Sequence, residues 1–378
     1  MTNYKLAIIP GDGIGPEVIR EGLKVLAATA KKHNFTYETT EFPYGGTRYL
    51  KTGEVLSDEE LNALKKFDAI YLGGIGHPDV KPGILERGIL LKMRFDLEQY
   101  INLRPVKLYE NVATPLAGKK SEDIDYIVFR ENTGGLYTGI GEFQNKGTKD
   151  EVAIQSMVYS HKQVDRCVRY AFEYLRKRHT DNPWPGLSSD QIKQGKIAKL
   201  TLCGKTNVLT YVFDLWERVF NAVARDYPEI VTDYCHVDAI CIYMIEDPKR
   251  FNGIVTSNMF GDIITDLAAT TQGGMGVAPS GNINPDGVSM FEPVHGTAPS
   301  FTGKNVINPI ATILTSVMML NHLGEYDAAI NIENAVKRTI LKMKSMLVGK
   351  MGYTTTEIGD MVVKKMGTEP YFIKTSSK

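Results

Sequence analysis

Asp262 and Asp266, in Asp262-Ile263-Ile264-Thr265-Asp266, stand at i and i+4. On a helix both carboxylates share one face. Like charges so placed cost about 0.2–0.5 kcal/mol even when exposed, and no Lys or Arg between Ile254 and Val277 relieves them. Asp238, in the apolar run Val237 to Tyr243, reads as a third carboxylate in a dry setting. Three carboxylates in such surroundings suit a hard divalent cation such as Mg2+, held by oxygen ligands and water. The pair alone reads equally well as a helix cap, Asp262, beside a solvated Asp266.

Three arginines stand out by position. Arg94 ends Leu90-Leu91-Lys92-Met93-Arg94, Arg104 directly precedes Pro105, and Arg130 follows the apolar run Tyr126–Phe129. Ligand-binding residues of parallel sheets gather at such strand ends. Singly, each is an ordinary surface ion-pair partner; together they suit bidentate capture of a small polycarboxylate. Tyr137 stands just past the turn Gly134-Gly135, where a phenol can donate a proton. Lys205, in Cys203-Gly204-Lys205-Thr206-Asn207, follows another apolar run. It reads either as a desolvated base or as a solvated turn lysine.

These residues need a frame, and the chain supplies an alternating one. Lys5–Ile9 reads as a strand, Pro10-Gly11-Asp12-Gly13-Ile14-Gly15 as a turn, and Glu17–Ala30 as a helix with Pro16 at its first position. A helix is expected near Asp58–Lys66 and a strand at Ala69–Leu72, closed by Gly73-Gly74-Ile75-Gly76. Further strands are expected at Tyr126–Phe129, Ile197–Leu202 and Ile254–Val255. The alternation predicts an α/β fold with much parallel pairing. Gly11 to Gly15 is similar to a nucleotide-binding fingerprint, but its third glycine comes one residue too soon for G-x-G-x-x-G. A tight strand-to-helix turn is the simpler reading. His179–Gly195, polar and broken by Pro183 and Pro185, reads as a surface excursion, and the tail from Gly367 as a frayed end.

The 378 residues predict two domains. Lys+Arg and Asp+Glu number 44 each, for a net charge of +0. No basic surplus exists for a nucleic acid or an anionic membrane, so any bound anion must be held by a local cluster. No apolar run approaches the ~18 residues of a membrane span. The four cysteines, Cys167, Cys203, Cys235 and Cys241, show neither Cys-x-x-Cys spacing nor a ladder. They read as reduced thiols in a cytoplasmic protein.

Four segments together resemble the β-decarboxylating dehydrogenases, the isocitrate/isopropylmalate dehydrogenase family. They are Gly11–Glu17, Asn102-Leu103-Arg104-Pro105, Asn258-Met259-Phe260-Gly261-Asp262 and Glu292–Pro299, in the family's order, and the likeness runs from Lys5 to about Met366. The resemblance implies a two-domain α/β fold with a large, mostly parallel sheet, not a Rossmann fold. Residues 1–101 with 274–378 would form a cofactor-binding domain. Residues 102–273 would form a central domain with the substrate and metal residues and a homodimer interface. The resemblance makes Lys205 and Tyr137 the acid–base pair, and Arg94, Arg104, Arg130 and Asp238 substrate residues. Asp238, Asp262 and Asp266 would hold Mg2+ or Mn2+, with Lys205 and Asp238 contributed across a homodimer. NAD would meet Ile14, the loop from Gly76 to Glu86, Asn207, Glu292, and His295, Gly296, Ala298, Pro299, Ser300 and Asn308.

The substrate is then a 2-hydroxy dicarboxylate, oxidised and decarboxylated. Gly88-Ile89-Leu90-Leu91 resembles the isopropylmalate pattern, with Leu90 and Leu91 offering an apolar wall to a branched alkyl group and no Ser-x-Asn for a third carboxylate. This implies oxidative decarboxylation of 3-isopropylmalate, as in leucine biosynthesis. Tartrate/malate-type and isocitrate/homoisocitrate activities, with Arg87 in mind for the last, are the alternatives within the family. A non-catalytic regulatory subunit is the alternative of another class, and the presence of Lys205, Tyr137 and all three aspartates speaks against it. NAD-using members carry an aspartate where this chain has Ser300, so NAD is expected with weaker discrimination against NADP.

Overall fold

The structure, a computed structural model, describes residues 2–367; the tail expected to fray lies beyond them. The chain opens with β1 (Asn3–Ile9), α1 (Gly15–His33), β2 (Thr36–Glu41), α2 (Gly46–Thr52), α3 (Asp58–Leu64) and β3 (Ala69–Leu72). A π-helical turn, Glu86–Leu91, runs into α4 (Lys92–Asp96). Then follow β4 (Ile101–Lys107), β5 (Asp125–Glu131), the short strands β6 (Gly141–Gln144) and β7 (Val152–Gln155), α5 (His161–His179) and α6 (Ser189–Lys193). Next come β8 (Ala198–Gly204), α7 (Thr210–Ala224), β9 (Ile230–His236), α8 (Val237–Glu246), β10 (Gly253–Thr256) and α9 (Asn258–Thr271). The chain closes with β11 (Pro279–Ile283), β12 (Ser289–Pro293), α10 (Ile310–His322), α11 (Tyr326–Ile340) and α12 (Thr355–Met366).

Two compact units result. The terminal unit comprises Met1–Leu97, Tyr109–Pro115 and Gln272–Lys378, and the middle unit Glu98–Leu108 and Leu116–Thr271. Residues 98–101 go with the middle unit because β4 pairs antiparallel with β5 from Ile101 onward. Residues 109–115 go with the terminal unit, where Asn111 Nδ2 donates to the carbonyls of Ile340 and Met343.

In the terminal unit the strands run β2-β1-β3-β12-β11, all parallel except β11 against β12. β3 (AIYL) is fully buried, and α10 is buried along nearly its whole length, so both read as continuous apolar runs. Ile70, Leu72, Leu85, Ile89, Met93 and Met290 belong to one core cluster. In the middle unit the order is β4-β5-β10-β8-β9, parallel except β4 against β5. α5 and α7 bury Val164, Phe172, Phe213 and Trp216 beside it. The fold is thus α/β and mostly parallel, and neither order is the 3-2-1-4-5-6 of a dinucleotide-binding sheet.

The excursion 179–195 is not wholly a surface feature. Trp184 and Leu187 are buried, the Trp184 N–H donates to Ile197 O, and α6 is closed by a capping box at Ser188 and Gln191. The large apolar area of the indole is what anchors this polar segment.

Candidate active site

The middle unit carries Tyr137, Lys205 and the aspartates Asp238, Asp262 and Asp266, for which acid–base and metal roles are expected. Arg130, at the end of β5, has a side chain only 2% exposed. A guanidinium in that position is costly unless it is paired. It donates from Nε (3.0 Å) and Nη2 (2.8 Å) to Asn258 Oδ1, and from Nη1 to Asp262. The Tyr137 hydroxyl donates to the other Asp262 oxygen at 2.6 Å, and the Arg130 guanidinium lies 5.3 Å from the Tyr137 ring centroid. Tyr137 sits in a short helical turn, Leu136–Thr138, entered through Gly135 at φ 75°. Arg104, on β4, is buried, and its Nε donates to Asn102 Oδ1 at 2.7 Å.

Lys205 follows β8, and Asp238 opens α8. Their Nζ and Oδ1 are 2.6 Å apart. The Lys205 side chain is 25% exposed and that of Asp238 66%. Asp238 is therefore not in a dry setting as the sequence suggested. The apolar run around it is a helix whose Ile242 and Ile245 face outward, and an aspartate in a first helical turn is favoured by the helix dipole. The Lys205 ammonium bonded to it holds the Asp238 carboxyl below the usual carboxylate range. The Lys205 side chain is likewise partly solvated within one chain and paired with Asp238.

Asp262 and Asp266 share a face of α9, as their spacing predicts. The cation-poor sequence around them misled in one respect, because the fold brings Arg130 to Asp262 from 132 positions away. Among the described residues no three His, Cys, Asp or Glu side chains of one chain gather to hold a metal. Asp262 and Asp266 offer hard oxygen donors that fit a divalent cation, provided that water, substrate or a second copy completes the shell.

The terminal unit carries the remaining residues. Arg94, on α4, donates from Nη2 to Glu292 Oε1 at 3.1 Å, and its Nε is buried without a partner. Glu292 also accepts from Asn282 Nδ2 at 2.7 Å, so its carboxylate anchors Arg94. Leu90 and Leu91, half-buried, end the π-helical turn just before α4. Such turns widen a helix by one residue and often occur at functional sites.

The glycine turn after β1 proves to be a packing device. A Cβ at Gly11 would lie 1.8 Å from Gly74 O, and one at Gly13 2.1 Å from Thr297 O. Ile14 N donates to Thr297 O, and the Ile14 side chain is buried with Val18 and Ile307. Asp12 accepts from the backbone N–H of Gly46 (2.7 Å), Thr47 (3.1 Å) and Gly76 (3.0 Å), so one buried carboxylate joins three loops. Sequence reasoning gave Asp12 no role, although a lone acid between turn glycines was a usable signal. Glu86 Oε2 accepts from Gly83 N and closes the loop that starts at Gly76.

Further along, burial pushes the His295 imidazole below its ordinary pKa, toward the neutral form. Its Nδ1 faces Gly296 O at 3.1 Å, and its Nε2 is buried without a partner. Neutral, with Nδ1–H turned to that carbonyl, the ring presents Nε2 as an acceptor. An unsatisfied acceptor beside exposed Gly296, Pro299 and Ser300 fits a polar ligand such as a nucleotide cofactor. Ala298 adopts φ 38°, a strained value for a residue with a Cβ. Asn308 is buried: Oδ1 accepts from Ile310 N and Nδ2 donates to Met346 O, which leaves its side chain a structural task. Asn207, in the middle unit, is exposed.

A model of the family described as isocitrate/isopropylmalate dehydrogenase matches residues 5–362. A 3-isopropylmalate dehydrogenase of Thermobifida fusca is 48% identical over 97% of this chain and 98% of its own. One from Streptomyces coelicolor is 49% identical over 96% and 99%. Among solved structures, isocitrate dehydrogenase from Methylococcus capsulatus superposes with a TM-score of 0.81 at 32% identity, covering 97% of this chain and all of the other.

Proposed function

The chain belongs to the isocitrate/isopropylmalate dehydrogenase family, and within it we propose that it catalyses the NAD- and Mg2+- or Mn2+-dependent oxidative decarboxylation of 3-isopropylmalate to 4-methyl-2-oxopentanoate and CO2, a step of leucine biosynthesis. The carrying observation is the bonded group of Arg130, Asp262 and Tyr137, with the pair Lys205–Asp238 in the same unit. The group joins a cation for a substrate carboxylate to a phenol for proton donation, and the Lys205–Asp238 pair would bring an amine for the hydroxyl proton to the site of a second copy. The choice of alkyl malate over isocitrate is supported by Leu90 and Leu91 and by relatives named 3-isopropylmalate dehydrogenase at 48–49% identity, against 32% for the isocitrate dehydrogenase. One methylene in an apolar wall is worth about 1–3 kcal/mol, so neighbouring alkyl malates should be accepted with modest discrimination.

The residues divide the work as follows. Arg94, Arg104 and Arg130 bind the two substrate carboxylates, and the fixed guanidinium planes orient them. Lys205, oriented by Asp238, takes the C2 hydroxyl proton as the C2 hydride leaves. Tyr137 returns a proton to C3 of the enol after CO2 departs. His295, Gly296, Ala298, Pro299 and Ser300 would hold NAD, with Ser300 at its ribose, and NAD would supply the hydride acceptor. Asp262 and Asp266, with Asp238 of a second copy, would hold Mg2+ or Mn2+, which would supply positive charge to the substrate oxygens.

A homodimer is part of the proposal. Ile242, Ile245 and Ile263 are 53%, 48% and 56% exposed, and the β6–β7 hairpin is exposed along its whole length with Phe143 outward. Exposed apolar side chains of this number suit an interface between copies. A cytoplasmic setting is supported by the four free cysteines, Cys203 and Cys235 being neighbours on adjacent strands yet unbridged. Among the described residues no helix is long and apolar enough to cross a membrane.

The acid–base assignment is tested with two variants. Lys205→Met should suppress hydride transfer from the hydroxy acid, by about 10²–10⁴-fold. Tyr137→Phe should slow turnover of the preformed oxo acid by a similar factor while leaving hydride transfer less affected. Loss confined to the oxidation step in both variants would overturn the division of roles.

A further inference from the structure

We propose that the first turn of α9 is the positioning device of the middle unit, the two ends of the Asn258 side chain setting the substrate arginine Arg130 and the loop that carries Tyr137 in one fixed relation. Asn258 is 1% exposed, and its side chain bonds Arg130 at one end and the Gly134 backbone at the other. Its Oδ1 accepts from both Nε and Nη2 of Arg130, which fixes the plane of the guanidinium. Its Nδ2 donates to Gly134 O at 3.2 Å, at the start of the turn that delivers Tyr137. One planar amide thus spans the arginine on β5 and the loop that follows it.

Further contacts make the arrangement over-determined. The Asn258 N–H donates to the Tyr159 hydroxyl at 2.7 Å, which fixes the start of α9. The Tyr159 ring in turn fills the space beside Gly134 and Gly135, where a Cβ would lie 2.6 and 2.7 Å from its atoms. One turn on, Gly261 makes room for the arginine stem: a Cβ there would lie 2.4 Å from Arg130 Cγ. Asp262, the next residue, takes Nη1 of Arg130 and the Tyr137 hydroxyl. Asn258, Gly261 and Asp262 stand at i, i+3 and i+4, so one helical face addresses Arg130 three ways.

The amide also explains why this position is not a carboxylate. A second negative charge on Arg130, beside Asp262, would cancel the field that attracts an anionic substrate. A neutral oxygen orients the guanidinium without neutralising it.

The inference rests on the roles proposed for Arg130 and Tyr137, so Arg130→Gln and Tyr137→Phe are assayed beside the test variants. Asn258→Ala should raise KM for 3-isopropylmalate by about ten- to hundred-fold, the loss expected for hydrogen bonds to a charged group. It should also lower kcat, because the Tyr137 loop is released, and leave KM for NAD within about twofold. Gly261→Ala, which displaces Arg130 but leaves the bond to Gly134 O, should raise KM for 3-isopropylmalate and keep most of kcat. Wild-type KM and kcat in a folded Asn258→Ala protein, with Arg130→Gln and Tyr137→Phe impaired, would overturn the inference and leave the proposed function standing. If Asn258→Ala does not fold, an unchanged KM in Gly261→Ala overturns it alone. Unimpaired Arg130→Gln and Tyr137→Phe would remove the proposed roles and this inference together.

Discussion

In the middle unit the candidate groups are bonded side chain to side chain: Arg130 to Asn258 and Asp262, Tyr137 to Asp262, Lys205 to Asp238. In the terminal unit the corresponding work is done largely by backbone. Gly11 and Gly13 lie against the carbonyls of Gly74 and Thr297, and Asp12 gathers three amide N–H groups. His295 Nε2 awaits a partner there. The contrast fits two tasks. Proton transfer and charge binding need a few side chains locked in orientation, whereas close packing of backbone on backbone needs residues without a Cβ. Substitution of the partly exposed Lys205 should therefore change rate with little change in stability, and substitution in the glycine turn should cost stability.

The largest expected effect is on turnover. Removing divalent metal with a chelator should abolish activity, and Mg2+ or Mn2+ should restore it, because Asp262 and Asp266 share a helix face and offer hard oxygen donors to a cation. Full activity in metal-free buffer would detach the two aspartates from the chemistry. Next comes stability. Gly13→Val forces a branched side chain onto φ +59° and into Thr297 O, so denaturant unfolding should show a loss of at least about 1–3 kcal/mol. Lys205→Met, at a partly exposed pair, should stay within about 0.5 kcal/mol of wild type. Equal losses in both would erase the contrast between the units.

A smaller effect concerns cofactor choice. Ser300 is exposed and uncharged, so it can hydrogen-bond a ribose hydroxyl but cannot repel a 2′-phosphate. Ser300→Asp should widen the NAD-over-NADP ratio of kcat/KM about tenfold, equivalent to ~1.4 kcal/mol; an unchanged ratio would move the ribose elsewhere. The smallest is a pH effect. Burial lowers the pKa of His322, as it does for His179 and His295. With the folded value below the unfolded one of about 6.5, the unfolded chain takes up the proton first. Stability then falls as pH drops from about 6.5 through the folded value, and nothing is lost above it. His322→Gln should flatten that slope; a slope unchanged in this variant would assign the effect to other groups.

The sequence carried the local part of this well. Apolar runs closed by glycine or polar turns marked β1, β3, β5, β8 and β10, because a buried parallel strand has to be apolar throughout. The spacing of Asp262 and Asp266 was a correct helix-face argument. What it could not carry was partnership across long separations. Arg130 and Asp262 are 132 positions apart and Lys205 and Asp238 are 33, so a stretch poor in cations along the chain is not poor in space. The apolar run around Asp238 likewise looked like a dry core and is a helix with two outward isoleucines. Asp12 and Asn258 escaped a role because each acts through backbone or through another side chain, and neither shows that in its own neighbourhood.

The most direct test of the account is a parallel assay of purified protein on 3-isopropylmalate, isocitrate, homoisocitrate, tartrate and malate, with NAD and with NADP, following reduced cofactor and CO2 together. The account predicts the highest kcat/KM with 3-isopropylmalate and NAD, and one CO2 released for each NADH formed. A higher kcat/KM with another of these acids, or NADH formed without CO2, would contradict it.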